Sequence, residues 1–108
     1  MILTIEQIAK KSEPILRKYE IKEAYLFGSV ARGEATEESD VDFLIDRTDS
    51  KLVDLFIAAD FREELEKALG KFVDVINTHM MESQTMQVQR KMMRDNILKE
   101  RVLIYTGE

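Results

Sequence analysis

Apolar positions along this chain change period several times, and each change marks an element. Ile5, Ile8, Ala9, Ile15, Leu16 and Tyr19 recur at helical spacing, and Thr4 with Gln7 forms a capping-box signature ahead of them. Pro14 falls inside that pattern and, lacking an amide hydrogen, predicts a break or kink near Ser12. Ala24–Phe27 is a short, apolar, aromatic-rich run that stops at Gly28, the pattern of a strand. Ser29–Arg32 has the length of one helical turn, and the polar run Glu34–Ser39 predicts a loop. Val41–Ile45 predicts a second strand. Leu52, Leu55, Phe56, Ala59, Leu65 and Leu69 then follow helical spacing over 52–69, with Gly70 placed as the C-terminal cap. Phe72–Ile76 predicts a third strand, residues near 83–98 a further helix, and Arg101–Tyr105 a fourth strand. Strands separated by helical stretches define an α/β (α+β) fold, a small sheet of about four strands with helices packed against it.

Composition narrows the function classes. The chain has 108 residues, no internal repeat and no linker-like run, so it reads as a single domain over 1–108. That length is not expected to hold a separate acceptor-binding domain. Sixteen basic residues against 21 acidic give a net charge of -5, which supplies no broad positive field for nucleic acid or an anionic membrane. The absence of cysteine excludes disulfides, cysteine zinc sites and thiol catalysis. Apolar runs are too short for a membrane span or a signal-peptide core. The expectation is an acidic cytoplasmic domain whose chemistry depends on carboxylates, hydroxyls or metal.

Two places carry candidate chemistry. The first is Gly28-Ser29-Val30-Ala31-Arg32-Gly33, directly after a predicted strand. Glycine lets a ligand approach the backbone closely, and amides at the start of a helical turn make an anion site. Taken alone, the same residues also read as a strand-to-helix turn with a serine cap. The second is Asp40-Val41-Asp42, entering the next strand. Residues i and i+2 of a strand share a face about 6–7 Å apart. Like charges approaching to about 4 Å would repel by on the order of 4 kcal/mol. A bound divalent cation reverses that sign, and Mg²⁺ takes carboxylates together with substrate phosphates. The alternative is a capped turn at Asp40 and a solvated strand face at Asp42. Asp74 then interrupts the otherwise apolar Phe72-Val73-Asp74-Val75-Ile76, where a charge is disfavoured unless paired or liganding. On an exposed sheet face it would be unremarkable. Beside Asp42, it would bring three carboxylates together.

The combination resembles the nucleotidyltransferase fold of the DNA polymerase β superfamily, a small mixed sheet with helices against it. Within that superfamily, Leu26-Phe27-Gly28-Ser29-Val30-Ala31-Arg32-Gly33 through Ser39-Asp40-Val41-Asp42-Phe43-Leu44-Ile45 is similar to the minimal nucleotidyltransferase (MNT) group. The resemblance implies that Gly28 and Ser29 hold the nucleotide's β- and γ-phosphates. It implies that Asp40 and Asp42 ligate a pair of Mg²⁺ ions, and that Asp74 completes the metal site and acts as base on the incoming hydroxyl. Arg32 is a phosphate or carboxylate partner, or a structural ion-pair residue. Arg47 and Lys51, soon after the second strand, are weaker candidates for the triphosphate. The implied reaction is attack of an acceptor oxygen on the α-phosphate of ATP, with pyrophosphate leaving.

Because the chain leaves no room for an acceptor domain, the acceptor is expected from another protein or a second copy of the chain, as in a homodimer. MNT proteins pair with HEPN-type ribonuclease toxins, so the resemblance implies an antitoxin that adenylylates a tyrosine of such a toxin. No nucleic-acid substrate is expected. A purely binding antitoxin that blocks its partner sterically, and a nucleotide or metal sensor, are the alternatives. A pure binder has no need of a repulsive carboxylate cluster.

Three further features have bland and sharp readings. Five of the six methionines fall between Met80 and Met93, as core or as an adaptable interface. The segment Met80–Arg101 carries five basic against three acidic residues, a solvated face or a site for an acidic partner. His79 reads as a loop residue or a polar neighbour of the site, while Tyr25 and Tyr105 read as strand packing.

Overall fold

The computed structural model describes residues 2–78 and 95–107. Helix α1, Ile5–Lys18, starts at the expected box: the Gln7 amide donates to Thr4 Oγ1 at 3.1 Å, and the Thr4 amide to Gln7 Oε1 at 2.9 Å. It runs through Pro14 without a break, contrary to the expected interruption near Ser12. The amide that Pro14 lacks would have bonded to the carbonyl of exposed Lys10, where water can substitute. Ile8 and Leu16, both fully buried, hold the helix to the core on either side of the proline. The buried Ser12 hydroxyl donates to the Ile8 carbonyl at 2.7 Å, so it leaves no unmet polar group.

Four strands follow: β1 Glu23–Phe27, β2 Val41–Asp46, β3 Val73–Asn77 and β4 Val102–Thr106. They form one mixed sheet in the order β3-β2-β1-β4, with β2 and β3 parallel and both other pairs antiparallel. Between β1 and β2 lies a single helical turn, α2, Gly28–Ala31, and then a loop. Helix α3, Leu55–Leu69, is the crossover that a parallel pair requires. It starts three residues later than its apolar spacing predicts, because the Asp54 carboxylate accepts the Ile57 amide at 2.8 Å and sets the cap there. Leu52 stays buried ahead of the helix, held in place by the Lys51 amide donating to the Tyr19 carbonyl at 2.9 Å. Leu55 and Phe56, expected on the buried stripe, are instead exposed in the first turn, and Phe61, Leu65 and Leu69 carry the packing. Gly70 closes α3 in the left-handed conformation, as expected.

Alternation along the strands sends each sheet face to a different environment. One face presents Ala24, Leu26, Val41, Phe43, Ile45 and Val73 to α1 and α3, where they meet Ile8, Leu16, Phe61 and Leu65 in the main core. The Tyr19 and Phe61 rings meet edge to face there at 5.2 Å. The other face carries a smaller cluster of Phe27, Leu44 and Ile97, with Tyr25 and Ile76 against it. Ile97 comes from residues 95–100, which are helical. Tyr25 and Tyr105 both pack as strand residues. Among the described residues, no helix is long and apolar enough to cross a membrane. Most of the helix expected near 83–98, His79 and the methionine-rich stretch lie outside the described residues.

Candidate active site

Strand register builds the site. On the face away from α1 and α3, Phe27 of β1 pairs with Asp42 of β2, and Asp42 pairs with Asp74 of β3. The turn α2 therefore leaves β1 beside the first carboxylate, and the second sits one strand further on, about 4.8 Å across the sheet. Gly28 opens that turn with φ of 74°, and a Cβ placed on it would collide with Asp42 Oδ2. Only glycine can take that backbone and leave the carboxylate where it is. Ser29 follows in the turn, which closes through Arg32 N–H to the Gly28 carbonyl at 3.1 Å and Glu34 N–H to the Ser29 carbonyl at 2.8 Å. Amides at the start of such a turn have no helical acceptor of their own and suit an anion.

Asp42 is the least exposed of the three carboxylates, whereas Asp40 and Asp74 are open to solvent. Burial pushes the Asp42 carboxyl up to about 6, and the negative charges of Asp74 and Asp40 push in the same direction. Arg32 opposes them, and a hydrogen bond shared with Asp74 adds to the rise. The sheet thus holds Asp42 and Asp74 together at an electrostatic cost. Asp40, just outside β2, acts on Asp42 through its charge. Among the described residues, no group of three or more carboxylate or imidazole side chains closes into a preformed metal cage. The donor set still fits magnesium: it is all hard oxygen, and Mg²⁺ is ordinarily held by one or two carboxylates plus waters and substrate phosphates.

The other sequence candidates divide sharply. Arg32 reaches the site's edge, where its Nε meets Glu34 Oε2 at 3.0 Å and its Nη1 meets Glu100 Oε2 at 3.1 Å. It therefore ties α2 to the helical residues 95–100 while lowering the Asp42 carboxyl's affinity for its proton. Arg47 and Lys51 are not brought to the site. They follow the far end of β2, so Arg47 is roughly 16 Å along the chain from Asp42, and its Nη1 donates to the Leu52 carbonyl at 3.4 Å. Proximity in sequence to β2 misled here, because the strand carries the chain away from Asp42.

Two features near these residues escape a reading of the sequence. Glu100 is the distant partner of Arg32, and nothing local signals a pair 68 residues apart. Phe72, expected inside β3, precedes it and is 74% exposed, with its carbonyl accepting the Val41 amide at 3.0 Å. Its signal was present in the alternation: residues 72 and 74 share one side of the strand, opposite buried Val73.

The chain matches the nucleotidyltransferase domain family over residues 8–104. It is 37% identical over 87 residues to the protein adenylyltransferase MntA of Thermococcus cleftensis, covering 76% of this chain and 85% of that one. A Methanocaldococcus jannaschii relative, provisionally named a protein adenylyltransferase, is 38% identical over 101 residues, 93% of this chain and 97% of its own. Among solved structures, one provisionally described as a minimal nucleotidyltransferase superimposes with a TM-score of 0.67 at 26% identity, covering 93% of this chain and 95% of that one. A toxin–antitoxin complex with AMP-PNP shares the fold at a TM-score of 0.70 and 19% identity, over 93% of this chain and 74% of the matched one. With a glycine–serine turn set against paired aspartates and a family match along nearly its whole length, the chain belongs to the nucleotidyltransferase domain family and is a nucleotidyltransferase of the MNT type.

Proposed function

We propose that this chain is the adenylyltransferase antitoxin of a HEPN-type toxin, acting in the cytoplasm as a single domain over 1–108. It moves AMP from ATP to a tyrosine hydroxyl of that toxin. The observation that carries the reading is the Asp42–Asp74 pair, held in register against its own repulsion directly beside the Gly28 turn. A site built only for binding gains nothing from such a pair. The names of the relatives support the protein acceptor, and the toxin–antitoxin neighbours support the partner.

In this reading the Gly28-Ser29 turn receives the β- and γ-phosphates, with backbone amides and the Ser29 hydroxyl as donors. Arg32 screens phosphate charge at the edge of the site. Asp40, Asp42 and Asp74 are the carboxylates that would hold Mg²⁺. When bound, the metal supplies neutralisation of the phosphate oxygens and a clamp on the attacking and leaving oxygens. The acceptor oxygen bonds to the α-phosphorus as the bond to the bridging oxygen of pyrophosphate breaks. Its proton passes to the Asp74 carboxylate, which is exposed to solvent.

The test is transfer of label from α-labelled ATP to the HEPN protein co-expressed with this chain, with the adduct located by mass spectrometry. Wild type labels one or more tyrosines, and Asp74→Asn reduces the rate by at least about a thousandfold while still co-purifying with its partner. If Asp74→Asn neutralises the toxin as fully as wild type does, steric blocking replaces transfer as the antitoxin mechanism.

A further inference from the structure

Helical residues 95–100 lie on the same sheet face as Asp42, although they are far along the chain from the Gly28 turn. Three contacts hold them there. Ile97 is buried in the cluster of Phe27, the strand partner of Asp42, and Leu44, two residues after it. Arg101, whose amide donates to the Ile97 carbonyl at 2.9 Å, sets its guanidinium 4.3 Å from the centre of the Tyr25 ring. Glu100, about one helical turn on from Ile97, accepts a hydrogen bond from Arg32 Nη1 at 3.1 Å.

Arg32 stands three residues after Ser29 and keeps helical backbone angles, so the two side chains leave the same side of α2. Its positive charge is felt at Asp42. A free, exposed arginine gives up its rotamer freedom when it meets a phosphate. Here that freedom is already lost. Glu34 takes Nε at 3.0 Å and Glu100 takes Nη1, and the remaining N–H groups of the guanidinium can still donate. Glu100 is the firmer partner: its side chain is 36% exposed against 66% for Glu34, and buried Ile97 anchors its segment. A carboxylate beside the arginine also offsets part of its charge. At an exposed rim, water and salt screen that offset. Rotamer freedom is not screened, so orientation outweighs charge.

We propose that Glu100 is a positioning residue for the nucleotide: through Arg32 Nη1 it holds the guanidinium beside the Gly28-Ser29 turn, oriented for a phosphate oxygen of ATP. This rests on the nucleotide-binding reading of that turn and deepens it. The local motif of residues 28–33 is then completed by a residue 68 positions from Arg32. Seating of residues 95–100 on the sheet through Ile97 and ordering of the phosphate site become one event.

The experiment measures binding of MgATP to the full chain by calorimetry with no acceptor present, so it does not depend on transfer. Glu100→Ala raises the Kd for MgATP about three- to fivefold, the upper range for one exposed charge pair. The unfolding midpoint of the free protein stays close to wild type. Glu100→Gln, whose amide oxygen still accepts from Nη1, binds as wild type does. In an Arg32→Ala background, Glu100→Ala changes the Kd no further. Unchanged or tighter binding in Glu100→Ala overturns the inference, tighter binding being the mark of a carboxylate that competes with phosphate. An equal loss in the Arg32→Ala background also overturns it, because Glu100 would then act elsewhere. So does a loss in Glu100→Gln as large as that in Glu100→Ala, which would assign the effect to charge rather than orientation. If folded wild type binds no MgATP, the nucleotide reading of the turn itself fails, and this inference with it.

Discussion

The two faces of the sheet are made by the same strands and are opposite in character. Towards α1 and α3, Leu26, Val41, Phe43, Ile45 and Val73 are buried and apolar, and every alternate residue of β2 contributes. On the other face, the same β2 turns Asp42, Leu44 and Asp46 outwards. There, a small apolar cluster around Leu44 sits next to two carboxylates that would be more stable apart. The first face can bear the strain of the second because strand alternation separates them completely. A residue that anchors the core cannot also reach the site, and a residue in the site contributes little to the core. Substitutions should therefore fall into two classes, with loss of stability on one side and loss of transfer on the other.

The strongest way to break this division is to weaken the core face alone. Phe43 is fully buried between β1, β3 and the helices, one residue from Asp42. Phe43→Ala should cost about 3–5 kcal/mol in chemical unfolding, from lost transfer energy and the cavity left behind. Below its lowered midpoint, however, the variant should retain most of the wild-type specific activity. A loss of activity as deep as that of Asp74→Asn, in protein still folded by circular dichroism, would mean that the faces are mechanically coupled.

Gly28→Ala tests the opposite face. The added methyl meets Asp42 Oδ2 and the backbone must keep φ at 74° or move, so about 1–2 kcal/mol of stability is lost. The larger effect should be on transfer, since relief of the clash pushes the carboxylate out of line with Asp74. A drop of about a hundredfold in kcat is expected from a displacement of roughly 1 Å. Activity close to wild type would show that the close approach of Gly28 to Asp42 has no part in the chemistry.

Which parts of this division can be read from the sequence follows from range. Thr4, Gly70 and the glycine–serine turn act through neighbours a few residues away, so their pattern survives without coordinates. The pairing of Asp42 with Asp74 needed the order β3-β2-β1-β4, which alternation of elements suggests but does not determine. Pro14 and Leu55 misled because tertiary packing of Ile8 and Leu16, and a cap at Asp54, override local rules. Glu100 as partner of Arg32 was invisible, because an ion pair between distant segments leaves no periodic trace. Phe72 was half legible: its apolar character suggested burial, while its phase with Asp74 indicated exposure.

Acidity offers the finest test of the contrast between faces, because only one of them titrates. The Asp42 carboxyl is raised to about 6, chiefly by burial and then by Asp74 and Asp40. A folded-state value above the unfolded one means that the folded protein holds this proton more tightly. Stability contributed by the protonated form is complete below about pH 4 and is lost as pH rises through about 6, reaching its floor above about pH 7. Asp42→Asn keeps the shape and removes the charge. In chelator, the variant should gain about 1–2 kcal/mol over wild type at pH 8, after allowing for solvent screening, and nothing at pH 4. The gain comes with no transfer activity. MgATP should then raise the unfolding midpoint of wild type more than that of Asp42→Asn, since only wild type retains all three carboxylates proposed to hold the metal. A difference between the two proteins that is flat from pH 4 to pH 8 would mean that Asp42 is as well solvated as Asp74, and that the open face stores no repulsion for a ligand to relieve.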